Sequence, residues 1–308
     1  MDENQPIISE IINLKKDDPK FTEKCLDLAN SIQSNKYSIL QLIQDLGSLL
    51  TSNTVDDREK GTLILSLVLT YLPNDILIST QLNFICNFFS ERLNDHHQVV
   101  PAVIKGLKPL ISSKNIPEGL ATQLISSLFQ HVPCQQQQQH DRYNIYQFIQ
   151  AMLDKRKEEI KAMGLDAVYG VISAIDSERD PRNLLFLFKW LPDFLTTVEL
   201  GQLTEEMFDV ISCYFPVDFR PSAQEGGVIT RQDLADALCP CLCAIPSFSE
   251  PCISLALEKF ESELHVAKLD SLDLLINGCK NFPYEVYKQN SSTIWSLIQK
   301  EVFSSKYK

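Results

Sequence analysis

The sequence contains little glycine, with only 10 such residues in a chain of 308. Phosphate-binding loops and parallel-sheet enzymes use glycine where the backbone turns sharply or approaches a ligand closely. The low glycine content therefore argues against a fold built around a nucleotide.

Positive charge is also scarce, because 28 Lys and Arg residues face 40 Asp and Glu residues, which gives a formal net charge of −12. Nucleic acids are bound through clusters of Lys and Arg that displace counterions from the phosphates. The overall composition of this acidic chain shows no excess of Lys and Arg, so we expect no direct nucleic-acid partner. Composition does not exclude a local basic face.

Long hydrophobic runs are absent as well. The longest apolar stretch, 63–72, contains Ser66 and Thr70 and is far shorter than the roughly 20 residues that span a bilayer. Residues 1–6 contain no basic segment followed by an apolar one, so we expect neither a secretory signal nor a membrane partner. The nine cysteines are an odd number and lie mostly within apolar patterns, which fits buried thiols in the cytoplasm or nucleus better than a disulfide framework.

Helical periodicity, in contrast, runs through almost the whole chain. Apolar residues of 121–132 fall at i, i+3, i+4, i+7, i+8 and i+11, and no convincing run alternates with a period of two. Pro117 and Glu118 are the residue types that favour the start of this helix. The pattern predicts an all-α fold. The predicted helices are 5–15, 19–33, 37–51, 56–72, 79–94, 97–112, 117–132, 141–153, 155–175, 182–196, 203–214, 231–245, 249–262, 265–280 and 292–303.

A weak period of roughly 40 residues indicates helix pairs of the HEAT type. Charged turns at 56–60, 95–97 and 263–268 each precede a strongly apolar second helix. One helix pair cannot bury both of its apolar faces alone, so such pairs stack on one another. The sequence predicts a single α-solenoid of antiparallel, HEAT- or armadillo-like helix pairs over residues 1–308.

Two segments interrupt the helical pattern and are predicted to be loop insertions, near 133–140 and 215–229. The first contains the polar run 135–139, which has no apolar face. The second has no predicted helix, and long connections of this kind are often functional. Because aromatic and arginine side chains anchor interfaces, we expect the second loop to bind a partner. Equally, its two phenylalanines could pin the loop between helices. The candidate residues are Phe215, Pro216, Asp218, Phe219 and Arg220.

Asp180 and Pro181 predict the start of another helix, since aspartate caps helices and proline favours the first helical position. The neighbouring Arg182 could in addition bind a partner carboxylate through two hydrogen bonds. A structural role is the preferred interpretation of this segment. Arg182 and Asn183 are nevertheless kept as candidate partner-binding residues.

The cysteines Cys239, Cys241, Cys243 and Cys252 are the candidates for a metal or iron–sulfur site. At about 100° per residue, Cys239 and Cys243 share a helix face while Cys241 points away. Metal sites more often place their ligands in loops at CxxC spacing. Core packing is therefore the preferred interpretation, no cofactor is assigned, and a metal- or cluster-carrying protein is the alternative.

Catalytic patterns are weak throughout the sequence. In Asp95-His96-His97, adjacent helical histidines point about 100° apart and do not easily bind one ion. Asp95 is predicted to cap a helix, with both histidines at the surface or between repeats. The chain contains no GxSxG nucleophile motif. We therefore predict a non-enzymatic scaffold.

Several strings, in the same order along the chain, carry a resemblance to a known family. They are Asp95-His96-His97 with Pro101 and Gly106-Leu107, Asp180-Pro181-Arg182-Asn183-Leu184-Leu185, Ser212-Cys213-Tyr214-Phe215-Pro216-Val217-Asp218-Phe219, Ala267-Lys268-Leu269-Asp270-Ser271-Leu272, and the closing segment 295–303. From about residue 36 to its end, the chain resembles the N-terminal region of the MMS-nineteen family.

The resemblance implies a HEAT-repeat adaptor of the cytosolic iron–sulfur assembly targeting complex. Such an adaptor presents client enzymes of DNA replication, repair and transcription, among them helicases and DNA polymerases, for cluster insertion in cytoplasm and nucleus. Family members are much longer, and their C-terminal repeats dock the other assembly proteins. This chain is accordingly expected to be a fragment or short form. The alternative within the same fold is a helical-repeat scaffold of another pathway.

Overall fold

The computed structural model describes residues 5–220 and 229–303, and in these residues it contains α-helices and short 3₁₀ turns but no strand. The prediction of an all-α fold is confirmed. The helices are α1 (Gln5–Asn13), α2 (Pro19–Gln33), α3 (Ile39–Asp45), α4 (Gly47–Leu50), α5 (Val55–Tyr71), α6 (Ser79–Arg92), α7 (Val100–Ser112), α8 (Leu120–His131), α9 (Gln139–Lys155), α10 (Lys157–Met163), α11 (Leu165–Ile175), α12 (Pro181–Thr197), α13 (Thr204–Ser212), α14 (Arg231–Leu242), α15 (Ser249–Phe260), α16 (His265–Gly278) and α17 (Tyr284–Val302).

Several helix boundaries differ from the sequence-based prediction, among them 37–51, which divides into α3 and α4, and backbone conformation explains two of the differences. The predicted helix 155–175 divides into α10 and α11 at Gly164, whose φ of 55° lies in the left-handed region that interrupts a helix. Helix α8 begins after Gly119, which has a φ of 86°, and not at Pro117. The last helix begins at Tyr284, eight residues earlier than predicted, because its first turns carry too few apolar residues to show a stripe.

Two compact units make up the fold, Met1–Met163 and Gly164–Lys308. In the first unit, α2, α5, α7 and α9 pack successively against one another as one layer, while α6, α8 and α10 form the second layer. In the second unit, α12, α14 and α16 pack in the same successive way. Each unit therefore has the arrangement of stacked helix pairs that the sequence predicts. The single solenoid over residues 1–308 stays a prediction.

Helix α5 shows why the pairs stack. Its residues from Gly61 to Leu69 are almost all buried, since it packs against α2, α4 and α7. The buried Ser66 donates a hydrogen bond to the carbonyl oxygen of Ala102 in α7, at 2.6 Å. Gly106 in α7 faces the same contact, where a Cβ atom would lie 2.7 Å from Ser66 Oγ and 2.9 Å from Phe89 Cζ. The absence of a side chain at Gly106 lets these helices approach closely.

Polar contacts between neighbouring pairs reveal the repeat length. Several side-chain hydrogen bonds of the first unit join residues 36–38 positions apart, close to the predicted period. They are Ser66–Ala102, Asn87–Gln123, Ser90–Ser127, Thr122–Glu159, Ser79–Asn115 and Asn115–Leu77. The second unit repeats the spacing with Tyr214–Glu178, Asn281–Cys243 and Arg231–Asp270, 36 to 39 positions apart. The period persists there although the sequence pattern is irregular.

A cluster of ion pairs centred on Asp95 has the same spacing, and it corrects the predicted helix cap. Helix α7 begins at Val100, so Asp95 caps no helix. Its carboxylate, 8% exposed, accepts hydrogen bonds from Arg58 Nε and Nη2 at 2.9 and 2.8 Å and from Arg92 Nη1 at 2.6 Å. The guanidinium of Arg58 and the backbone N–H of His96 hold the pKa of Asp95 well below its usual range. Local sequence patterns could not show this role, because Arg58 lies 37 residues earlier in the chain, about one repeat away.

In the described parts of the chain, no single helix is both long enough and apolar enough to cross a membrane. Only the segments Arg231–Leu242 and Pro246–Phe260, separated by a bend of 105°, are long and apolar enough when taken together.

Gly106→Ala is expected to lower the free energy of unfolding by about 1–3 kcal/mol, because the added methyl group overpacks the contact with Phe89 and Ser66. Urea denaturation followed by circular dichroism measures the change. Gly47→Ala is the matched control: nothing lies within 4 Å of its Cβ position, so this helical substitution should stabilise by about 0.5–1 kcal/mol. Equal effects of the two substitutions would contradict the packing argument.

Asp95→Asn is expected to lower the free energy of unfolding by roughly 2–3 kcal/mol at pH 7, a value between those typical of exposed and of buried ion pairs. Because folding lowers the pKa of Asp95, its stabilisation is fully present above the ordinary carboxyl pKa of about 4 and is lost as the pH falls towards the lowered value. The difference in unfolding free energy between parent and variant should therefore shrink in acid. The exposed Asp154→Asn serves as control and should change little at either pH.

Candidate functional site

A pocket of about 240 Å³ in the second unit brings together several residues singled out by the sequence. It lies between α14, α16 and the segment that follows α13. Apolar walls come from Phe215, Leu238 and Pro240, and Cys239 also lines it. The acidic lining residues are Asp236, Asp270 and Asp273.

The predicted loop residues contribute unequally to this pocket. Phe215 is buried and forms part of the wall, so it does pin the start of the loop against the helices. Pro216 and Phe219 are half-buried, whereas Asp218 and Arg220 are exposed. Residues 221–228 lie outside the described part of the predicted insertion 215–229. A partner-binding role for these side chains stays a prediction.

Arg231 connects two sides of the pocket, the segment after α13 and helix α16. This residue was not identified from the sequence. Its Nε donates to the backbone carbonyl of Val217 at 3.0 Å, and its guanidinium pairs with the buried carboxylate of Asp270 in α16. Burial raises the pKa of Asp270, the pairing with Arg231 opposes this, and the nearby negative charges of Asp273 and Asp236 raise it further. The 39-residue separation of Arg231 and Asp270, close to the repeat period, is the only sequence signal that could have linked them.

The charge of the pocket determines what it can accept. Of its three carboxylates, Asp270 is paired with Arg231, while Asp236 and Asp273 are exposed and Asp236 accepts a hydrogen bond from Gln232. Apolar walls beside unneutralised carboxylates suit a side chain with a hydrocarbon stem and a cationic head. A lysine or arginine of a protein partner has this chemistry.

The segment 180–183 lies elsewhere and serves the fold. Asp180 caps α12 by accepting from the backbone N–H of Arg182 at 2.9 Å, and Pro181 occupies the first turn, as predicted. The guanidinium of Arg182 binds the Asp180 carboxylate through two hydrogen bonds of 2.9 and 2.7 Å and lowers the pKa of Asp180. Asn183 is fully buried and donates to Glu178 Oε2 at 3.0 Å. Neither Arg182 nor Asn183 lines the pocket, and Asn183 has no exposed surface to offer a partner.

The cysteines point in two directions, as the helical geometry predicts. Cys239 and Cys243 face α16, where their thiols donate to the backbone carbonyls of Asp273 and Leu274. Cys241 points to α12 and donates to the carbonyl of Phe188 at 3.1 Å, and burial raises its pKa well above the ordinary thiol value. Cys252 lies beside Cys243 and is buried. Cys243 thus lies beside both Cys239 and Cys252, while Cys241 points away from them. The described residues contain no group of three or more His, Cys, Asp or Glu side chains arranged for a metal ion.

His96 and His97 are exposed, which confirms the surface interpretation, and their ring centroids lie 4.1 Å apart. The polar run near 133–140 is only partly a loop. Cys134–Gln136 forms a 3₁₀ turn, and α9 begins at Gln139.

Comparison with known proteins agrees with the resemblance read from the sequence. Residues 43–304 match the model of the MMS19 N-terminal family, described as Dos2-interacting transcription regulator of RNA-Pol-II. The chain is 41% identical over 288 residues to the MMS19 nucleotide excision repair protein of Drosophila melanogaster, an alignment that covers 94% of the chain and 30% of the relative. It is 36% identical to the Homo sapiens homolog over 279 residues, covering 90% of the chain and 27% of the relative.

A more distant relative shows the same extent of similarity. The MMS19 nucleotide excision repair protein homolog of Dictyostelium discoideum is 32% identical over 276 residues, which cover 89% of the chain and 25% of that protein. The chain thus spans less than a third of the length of these relatives. It belongs to the MMS19 family and corresponds to the N-terminal region of its members.

Proposed function

We propose that this chain is a non-enzymatic adaptor of cytosolic iron–sulfur protein assembly, which helps present client apoproteins of DNA replication, repair and transcription for cluster insertion. Family membership supports the proposal, because the relatives are named as nucleotide excision repair proteins and the family as a transcription regulator that interacts with another protein. The proposed partners are the other proteins of the targeting complex and client iron–sulfur enzymes such as helicases and DNA polymerases. The proposed location is the cytoplasm and nucleus.

The observation that carries the proposal is the pocket between α14 and α16, on a layer of stacked helices. Stacked pairs offer a long surface, and a few well-placed anchors on such a surface supply most of the binding energy. The acidic rim and apolar wall fit a lysine or arginine presented by a protein. The neighbouring exposed Asp218 and Arg220 would extend the contact beyond the pocket.

In this proposal the iron–sulfur cluster is cargo that passes to a client and is not held by this chain. The burial of Cys241, Cys243 and Cys252 supports that division of roles. A thiolate is the form that binds metals, and burial in an apolar core disfavours it. These thiols contribute packing, as the sequence geometry indicates.

Asp236→Asn combined with Asp273→Asn is expected to reduce recovery of client iron–sulfur enzymes about tenfold, which corresponds to one lost charge-assisted hydrogen bond. Tagged 308-residue chain is expressed in cells, and its partners are quantified by affinity purification with mass spectrometry. Glu206→Gln, an exposed acid on α13 away from the pocket, is the matched control and should leave recovery unchanged.

Two outcomes of this experiment would contradict different parts of the proposal. Unchanged client recovery with the double variant would remove the pocket as the partner surface. A partner set without iron–sulfur enzymes or assembly proteins would instead indicate a helical-repeat scaffold of another pathway.

A further inference from the structure

A second groove, of about 350 Å³, crosses α5, α7 and α9 in the first unit. Its floor is formed by Leu69, Leu72 and Ile104, all of them largely buried. Polar side chains of α7 and α9 flank this floor. The groove lies across consecutive repeats, so it is a product of the stacking and not of any single helix pair.

The groove is basic in a chain that is acidic overall. Lys105 and Lys108 are exposed and line it from α7, and no Asp or Glu is among the described residues that line it. The two lysines are three residues apart and therefore lie on one face of the helix. Neither side chain makes a hydrogen bond or an ion pair with the described residues. Lys105 interacts electrostatically with the buried carboxylate of Asp141 in α9, which does not line the groove, and both lysines are exposed to a negatively charged partner.

The opposite wall offers hydrogen-bonding groups. Asn144 and Gln147 of α9 are half-buried, again three residues apart, and their amides form no side-chain hydrogen bonds within the described chain. Each side-chain amide has two N–H donors and a carbonyl acceptor. An extended peptide carries unpaired N–H and C=O groups along its backbone that need such partners when it leaves water.

We propose that this groove binds an extended acidic segment of a partner protein, with carboxylates at alternate positions. In an extended chain, side chains two residues apart point to the same side and lie about 6.6 Å apart. Helical residues three apart have Cβ atoms about 5–6 Å apart, so the spacing of Lys105 and Lys108 matches alternate Asp or Glu residues. The peptide backbone then faces Asn144 and Gln147, and apolar parts of the segment cover the floor.

The observations favour a peptide over a nucleic acid. Two lysines release few counterions from a phosphate backbone, with a salt slope of only about −2. The amides and the apolar floor suit a polypeptide better than a chain of phosphates. This surface is independent of the pocket between α14 and α16, and it goes beyond the proposed role in iron–sulfur assembly because it requires no particular pathway.

The test uses a fluorescein-labelled peptide with glutamate at every second position and glycine or alanine between, titrated with the 308-residue chain by fluorescence polarisation. We expect saturable binding, weakened at least tenfold by Lys105→Glu combined with Lys108→Glu. Asn144→Ala combined with Gln147→Ala should weaken it about threefold. Lys155→Glu combined with Lys161→Glu has the same charge change on exposed sites outside the groove and should have little effect.

Folding of each variant is checked by thermal denaturation, and Lys105→Gln combined with Lys108→Gln replaces the glutamate variant if the latter is unstable. Absence of saturable binding up to about 1 mM would overturn the proposal. So would equal loss of binding in the control pair, or tighter binding of a single-stranded oligonucleotide that is insensitive to the Asn144 and Gln147 substitutions.

Discussion

In a stack of helix pairs, the apolar surface on the sides of one pair can be buried only against the next pair. Helix α5 shows the constraint most clearly, since it is surrounded by α2, α4 and α7 and is buried from Gly61 to Leu69. The hydrophobic effect drives the stacking but sets no precise spacing, because it is not directional. The spacing comes from close contacts such as Gly106 against Phe89 and from hydrogen bonds such as Ser66 to Ala102.

Stacking also creates the two grooves. Each groove is lined by neighbouring helices of one layer, so its lining comes from residues of different repeats. The pocket between α14 and α16 is acidic, and the groove across α5, α7 and α9 is basic. A scaffold with surfaces of opposite sign can discriminate between partners by charge, since complementary potentials favour one partner and repel another.

The cysteines show how burial changes the chemistry of a thiol. Burial raises the pKa of Cys25 and of Cys86 to about 12, so their thiols stay protonated at neutral pH. In α14, Cys241 and Cys243 donate to backbone carbonyls of neighbouring helices. Cysteine behaves there as a small apolar residue with a weak hydrogen-bond donor.

The sequence by itself determined the helices, the family and the orientation of individual side chains on a helix. Apolar stripes located nearly every helix, Asp180 and Pro181 marked the start of α12, and helical geometry placed Cys241 opposite Cys239 and Cys243. These are local properties, fixed within a few turns of the chain.

Only the tertiary structure decided which distant residues meet. It paired Asp95 with Arg58 and Asp270 with Arg231, buried Asn183 against Glu178, and set Lys105 and Lys108 opposite Asn144 and Gln147. Such partners belong to different helices, often a full repeat apart. The rotation and offset between stacked pairs decide which side chains face one another, and no local pattern of residues contains that information.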